Sequence, residues 1–187
     1  MEQSSTHPSR FSLWLVPKKE HRLFFGEQIE NLAGACGMTG FDPHVTVFAF
    51  DAEGNVDEMA VWASTGITAF GLRVRGLRIG DDFFKALYIS LGFHPSLRLL
   101  YRRFGKMSGP SPNPYRLDPH LSLLYGDLPA ERKIELLSKV ELPYETLFFD
   151  EVRLVRCGNR ELGWRDIGAW QECLRIPLEE EKSGHAE

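Results

Sequence analysis

Phe41-Asp42-Pro43-His44-Val45-Thr46-Val47-Phe48 and Leu117-Asp118-Pro119-His120-Leu121-Ser122-Leu123-Leu124 carry one pattern twice, residue 120 standing 76 positions after residue 44. Each copy runs Asp-Pro-His, then an apolar residue, a hydroxyl residue and another apolar residue. Proline disfavours helix at the residue before it and suits the start of a strand, so each copy reads as a turn entering a β-strand. Side chains two apart on a strand share a face. His44 therefore projects with Thr46, and His120 with Ser122. Val45, Val47, Leu121 and Leu123 point the other way, into a core. Two matching segments indicate an internal duplication, which brings two imidazoles and two hydroxyls to one surface.

That set of groups suits acid–base chemistry on a phosphodiester. One neutral imidazole takes a proton from attacking water and a protonated one gives a proton to the departing oxygen. An unperturbed histidine titrates near pH 6.5, so both forms are accessible close to neutrality. The Thr46 and Ser122 hydroxyls are donors for nonbridging oxygens, where negative charge is held. No carboxylate or cysteine stands at a ligand-like spacing beside either histidine, so neither a metal site nor a cofactor is expected. Asp42 and Asp118 are expected to organise the turns. His7 and His185 fall in tails, His21 at a polar helix start and His94 just before a helix, all structural or solvated positions.

The 187 residues fit one domain or two small lobes sharing a core. A net charge of -4 argues against broad, charge-driven binding to a long nucleic acid. Arg73, Arg75 and Arg78, and Arg102, Arg103 and Lys106, read as solvated faces. No apolar run reaches the roughly 20 residues of a membrane span, and Met1 to Arg10 is polar. Three cysteines at spacings that suit neither zinc nor a disulfide framework fit a reduced compartment, so a cytoplasmic location is expected; the chain is also expected to be a monomer.

Along the chain, Phe11 to Pro17 alternates as a strand, and Lys18 to Cys36 has helical spacing through Leu23, Ile29, Leu32 and Ala33. Glu53 to Ser64 reads as a helix. Ile67 to Gly80 and Phe83 to Gly92 read as strands of a hairpin turning at Gly80-Asp81-Asp82. Pro95 to Met107 is a helix with proline in its first turn, and Ser108 to Pro114 is a loop. Ala130 to Val140 is a short helix, and Tyr144 to Cys157 and Trp170 to Leu178 are closing strands. The organisation expected is a flexible N-terminus over 1–10, a single bilobal domain over 11–178 and a disordered charged tail over 179–187. The fold class is α+β, with two pseudo-symmetric lobes, each an antiparallel sheet with flanking helices, around a central cleft.

At these residues the chain resembles the 2H phosphoesterase superfamily, whose signature is two His-x-Thr/Ser-x motifs. His44-Val45-Thr46-Val47 and His120-Leu121-Ser122-Leu123 both match. Ser12-Leu13-Trp14-Leu15-Val16-Pro17 and Phe83-Phe84-Lys85-Ala86-Leu87-Tyr88 look like the plant and fungal cyclic phosphodiesterase branch. The resemblance implies a small cyclic-phosphate nucleotide as substrate: ADP-ribose 1″,2″-cyclic phosphate opened to ADP-ribose 1″-phosphate, downstream of tRNA splicing, with nucleoside 2′,3′-cyclic phosphates opened to 2′-phosphates. It implies His44 and His120 as catalytic, with His120 activating water and His44 protonating the leaving oxygen, and Thr46 and Ser122 on the phosphate. Tyr125 resembles an accessory phosphate-site tyrosine, although strand parity puts it on the opposite face unless the strand twists or bulges. Phe84 is placed either on the base or in the core. The alternatives are an RNA-end enzyme of the 2′-5′ RNA ligase or 2′,5′-phosphodiesterase type, and a module that binds nucleotides without turnover.

Overall fold

The two motif strands form the outer ends of one antiparallel sheet path. The computed structural model describes residues 9–52, 56–108, 115–159, 163 and 165–180. Most of the two expected flexible ends, most of the Ser108 to Pro114 loop and the expected helix start at Glu53 lie outside these residues. Strands β1 (Ser9–Pro17), β2 (Val45–Ala52), β3 (Phe70–Ile79), β4 (Leu87–Leu91), β5 (His120–Leu124) and β6 (Thr146–Asn159) lie in the order β2-β1-β6-β3-β4-β5, with β7 (Gln171–Pro177) added to β6. Helices α1 (Lys19–Gly34), α2 (Asp57–Ser64), α3 (Pro95–Met107) and α4 (Ala130–Leu137) connect them.

The chain repeats as strand, helix, motif strand, helix, strand: β1-α1-β2-α2-β3, then β4-α3-β5-α4-β6. The halves exchange their last strands, because β3 pairs with β4 and β6 pairs with β1. The two lobes, β2-β1-β6 and β3-β4-β5, join where Phe70–Arg73 pairs with Thr146–Phe149. From Val74 onward β3 pairs with β4, across a register shift between Val74 and Gly76. Gly76 has φ 122°, a conformation that a Cβ penalises, so glycine suits the shift. The sheet curves until its ends, β2 and β5, touch.

Burial fixes the register of the motif strands. Val45, Val47, Leu121 and Leu123 are fully buried, each contributing about 1.5–3 kcal/mol. A slip of one residue would turn all four towards the cleft and drive the polar set into the apolar core, so the duplicated alternation dictates which face carries histidine.

Several boundaries differ from the sequence expectation. Phe83–Lys85 is a 3-10 turn rather than strand, because the Asp82 carboxylate accepts from the Phe84 amide at 2.8 Å. The buried face of α1 carries His21, Phe25, Ile29, Leu32 and Ala33, whereas Leu23 is 63% exposed. Pairing begins at Ser9, inside the expected flexible N-terminus, and a bridge from Thr68 holds Glu179, inside the expected tail. Among the described residues, no helix is long and apolar enough to cross a membrane.

Candidate active site

A cavity of about 300 Å³ opens between the lobes and is lined by His44, Thr46, His120, Ser122, Tyr125 and Phe84. All six residues singled out in the sequence thus meet at one place. The central strand β1 adds Arg10, Ser12 and Trp14 by the same period of two, while Phe11, Leu13 and Leu15 face the core.

Both histidines are held the same way. His44 Nδ1 lies 2.6 Å from the Asp42 carbonyl, and His120 Nδ1 lies 2.6 Å from the Asp118 carbonyl. A carbonyl only accepts, so each Nδ1 carries a proton and each neutral ring keeps its lone pair on Nε2. The two aspartates therefore do more than shape the turns. The Asp42 carboxylate accepts from buried Arg153 at 2.7 Å, and Arg153 also bonds Glu151. The Asp118 carboxylate accepts from Lys85. Each motif's backbone orients its imidazole, and each aspartate side chain ties that backbone to a cation on another strand or turn.

The surroundings of the two rings differ. His44 is 5% exposed, and burial lowers its pKa to about 4 against the opposing effect of the Asp42 hydrogen bond. Burial also lowers the pKa of His120, and the Lys85 charge adds to the depression. Both rings are thus neutral near pH 7 in the free protein, where the sequence alone placed both near their midpoint. Trp14 lies flat on His44 with ring centroids 3.7 Å apart, and Trp170 meets the Trp14 ring edge-on at 5.7 Å. His120 meets Tyr88 edge-on at 5.5 Å.

The hydroxyls differ as well. Ser122 Oγ donates to the Phe84 carbonyl at 2.7 Å, so its proton is engaged before any ligand arrives. The Thr46 hydroxyl has no hydrogen-bond partner among the described residues, its backbone carbonyl being the group that accepts from Tyr115 at 3.1 Å. Tyr125 joins the cavity because β5 bulges. Leu124 pairs with Leu87 and Ser122 with Tyr88, so Leu123 is an extra residue that resets the parity. Its phenol oxygen lies 3.4 Å from His44 Nε2, and its ring stacks on Phe41 at 3.7 Å. Burial pushes the phenol pKa up, so it remains a proton donor. Phe84 both lines the cavity and packs edge-on against Tyr125.

Sequence reasoning did not assign Trp14, Trp170, Tyr115, Lys85 or Arg153 to the site. The alternation of Arg10, Ser12 and Trp14 along β1 was a usable signal for Trp14. Trp170, Lys85 and Arg153 arrive from distant elements with no local pattern. Burial pushes the Cys157 thiol up to about 12, and all three cysteines are free. Among the described residues, no group of three or more His, Cys, Asp or Glu side chains is placed to hold a metal ion.

Two lobes related by duplication, each delivering a His-x-Thr/Ser motif to one cleft, define a 2H phosphoesterase. The sequence model of the cyclic phosphodiesterase-like protein family matches residues 10–168, and the chain belongs to that family, whose members are phosphodiester hydrolases. The cyclic phosphodiesterase of Arabidopsis thaliana is 31% identical over 127 residues, which span 66% of this chain and 68% of the relative. LigT of E. coli, crystallised with 3′-AMP, superposes with a TM-score of 0.55 at 15% identity, covering 92% of this chain and 99% of LigT. TT0787 of Thermus thermophilus gives 0.56 at 15% identity, covering 92% and 99%. At such identities the solved structures establish the shared fold.

Proposed function

We propose that the protein opens the cyclic phosphodiester of a small nucleotide without a metal: ADP-ribose 1″,2″-cyclic phosphate to ADP-ribose 1″-phosphate, and nucleoside 2′,3′-cyclic phosphates to 2′-phosphates. The observation that carries this reading is the pair of histidines, each locked through Nδ1 and keeping Nε2 for proton transfer, in one cavity. The resemblance supports a role downstream of tRNA splicing, and three free cysteines fit a reducing, cytoplasmic setting.

In the mechanism, His120 Nε2 takes a proton from water as the water oxygen bonds to phosphorus. The bond from phosphorus to the departing ring oxygen breaks on the opposite side, and His44 Nε2 gives that oxygen its proton. Lys85 favours a neutral His120, which suits the base. The π face of Trp14 favours a charged His44, which suits the acid. Raising the His44 pKa from about 4 to about 7 requires about 4 kcal/mol. An anion about 4 Å away supplies about that much at an effective dielectric near 20. Bound substrate thus brings its own acid into the protonated state. Thr46, Tyr125 and, once its proton is released from the Phe84 carbonyl, Ser122 hold the nonbridging oxygens. Phe84 and Trp170 form the apolar wall for a base.

The test is a panel of cyclic phosphates assayed in a chelator. Turnover that persists in the chelator, and falls at least roughly 10²-fold in His44→Ala and in His120→Ala, is the expected outcome. Tight binding of a cyclic phosphate with no hydrolysis over hours would replace the enzyme with a binding module.

A further inference from the structure

The cavity is too small for the larger of these substrates. At about 300 Å³ it lies at the bottom of the roughly 300–1,000 Å³ range of small-molecule sites, room for one nucleoside phosphate. A substrate carrying a further phosphate-linked nucleoside must continue through the mouth. Arg116 lines that mouth and also lines a second, open groove of about 740 Å³ along the first turns of α3.

We propose that this groove is a remote subsite for the phosphate-linked nucleoside attached to the reacting sugar, an inference that rests on the cyclic phosphate occupying the cavity. Among the described residues its lining supplies Arg98, Arg102 and Arg116 and no carboxylate, on a chain whose net charge is -4. Among the described residues, none of the three guanidinium groups forms an ion pair or side-chain hydrogen bond. Arg103, by contrast, donates to the carbonyls of Ala63 and Thr65. Arginines with no carboxylate partner among the described residues, gathered on one groove, supply forked donors for phosphate. Phe93, 45% exposed, carries the Arg98 guanidinium 4.1 Å from its ring centroid, a cation–π contact that places an arginine plane, itself a surface on which bases stack, in the groove. Tyr101, on the groove wall, donates to the Tyr115 carbonyl at 2.8 Å, and Tyr115 in turn donates to the Thr46 carbonyl. Groove and cavity are therefore fastened together at a fixed spacing.

Two substrates share this chemistry: the diphosphate and adenosine of ADP-ribose, and the preceding nucleotide of an RNA end. The experiment compares kcat/KM for cytidine 2′,3′-cyclic phosphate, ADP-ribose 1″,2″-cyclic phosphate and a dinucleotide ending in a 2′,3′-cyclic phosphate. Wild type, Arg98→Ala and Arg102→Ala are used, each checked for folding by circular dichroism. Calorimetry with ADP-ribose 1″-phosphate and with the dinucleotide's 2′-phosphate product provides a binding measurement. One or both extended substrates should lose about tenfold or more, the mononucleotide changing less than about twofold, and binding of the matching product should weaken in parallel. The arm that falls identifies the source. Equal losses on short and extended substrates, or none on either extended one, overturn the proposal. If the wild type turns over no cyclic phosphate, the reading of the cavity fails, while calorimetry still decides the groove: unchanged product binding in both variants overturns it.

Discussion

Trp14 covers His44 face to face, the planes 8° from parallel and the centroids 3.7 Å apart, while His120 meets the edge of Tyr88. The duplication made the two imidazoles equivalent in backbone and tautomer, and their neighbours broke that equivalence. An indole face stabilises a cation by about 0.5–1 kcal/mol in water and about 2 or more where desolvated. This stack therefore acts on the protonated ring that the leaving oxygen requires.

Trp14→Leu should consequently move the alkaline limb of the kcat–pH profile to lower pH by up to about one unit. The acid must hold its proton to work, and without the indole it loses that proton sooner. A profile measured with a nucleoside 2′,3′-cyclic phosphate decides it. An unshifted alkaline limb with a normal melting temperature would limit Trp14 to packing.

Lys85→Met should act on the other limb. The Lys85 charge depresses the His120 pKa, and its removal also leaves Asp118 without its cation. Both changes favour protonated His120, so the acid limb of kcat/KM should move to higher pH. Movement of the alkaline limb instead would exchange the roles of the two histidines.

The same burial makes stability depend on pH. His44 titrates at 6.5 unfolded and at about 4 folded, so between these values the unfolded chain binds more protons. Stability from this group is complete above about pH 6.5 and is lost as pH falls towards 4, on the order of 3 kcal/mol in all. His120, depressed in the same direction, adds to the slope. Urea melts of wild type and His44→Asn at pH 7 and 4.5 should show the variant losing less on acidification; equal losses would mean that the buried ring is not the group responsible.

What was legible in the sequence was whatever two-residue alternation or a local stop signal encodes. The motif strands and the faces of Val45, Val47, Leu121 and Leu123 followed from parity, and α3 runs from Pro95 to Met107 as read. The phase of α1 was not legible. Leu23, Phe24 and Phe25 are consecutive and apolar, so period alone could not tell which one faces inward, and the buried stripe contains His21, set edge-on to Tyr144. Tyr125 depended on a bulge that no residue type announces. The partnership of Asp42 with Arg153 spans 111 positions, and the exchange of β3 and β6 between halves is a property of pairing. Neither has a local signature.

Thr46 and Ser122 occupy matching places in the two motifs, yet their replacement should separate rate from stability. The Thr46 hydroxyl has no partner to give up among the described residues, so the substrate gains its full donor strength. Thr46→Val should lower kcat about 10²-fold, the scale of removing one preorganised donor to a developing charge, with the melting temperature nearly unchanged. Ser122 already donates to the Phe84 carbonyl at 2.7 Å, and part of what it offers the phosphate is spent in breaking that bond. Ser122→Ala should therefore reduce kcat less, while the orphaned carbonyl costs about 1–3 kcal/mol of stability. At about 2–4 °C per kcal/mol for a chain of this size, that is a fall in Tm of several degrees. Parallel melts and kinetics on the two variants read both quantities. The reverse ranking would show that Ser122 leaves Phe84 without cost and that Thr46 is the structural hydroxyl.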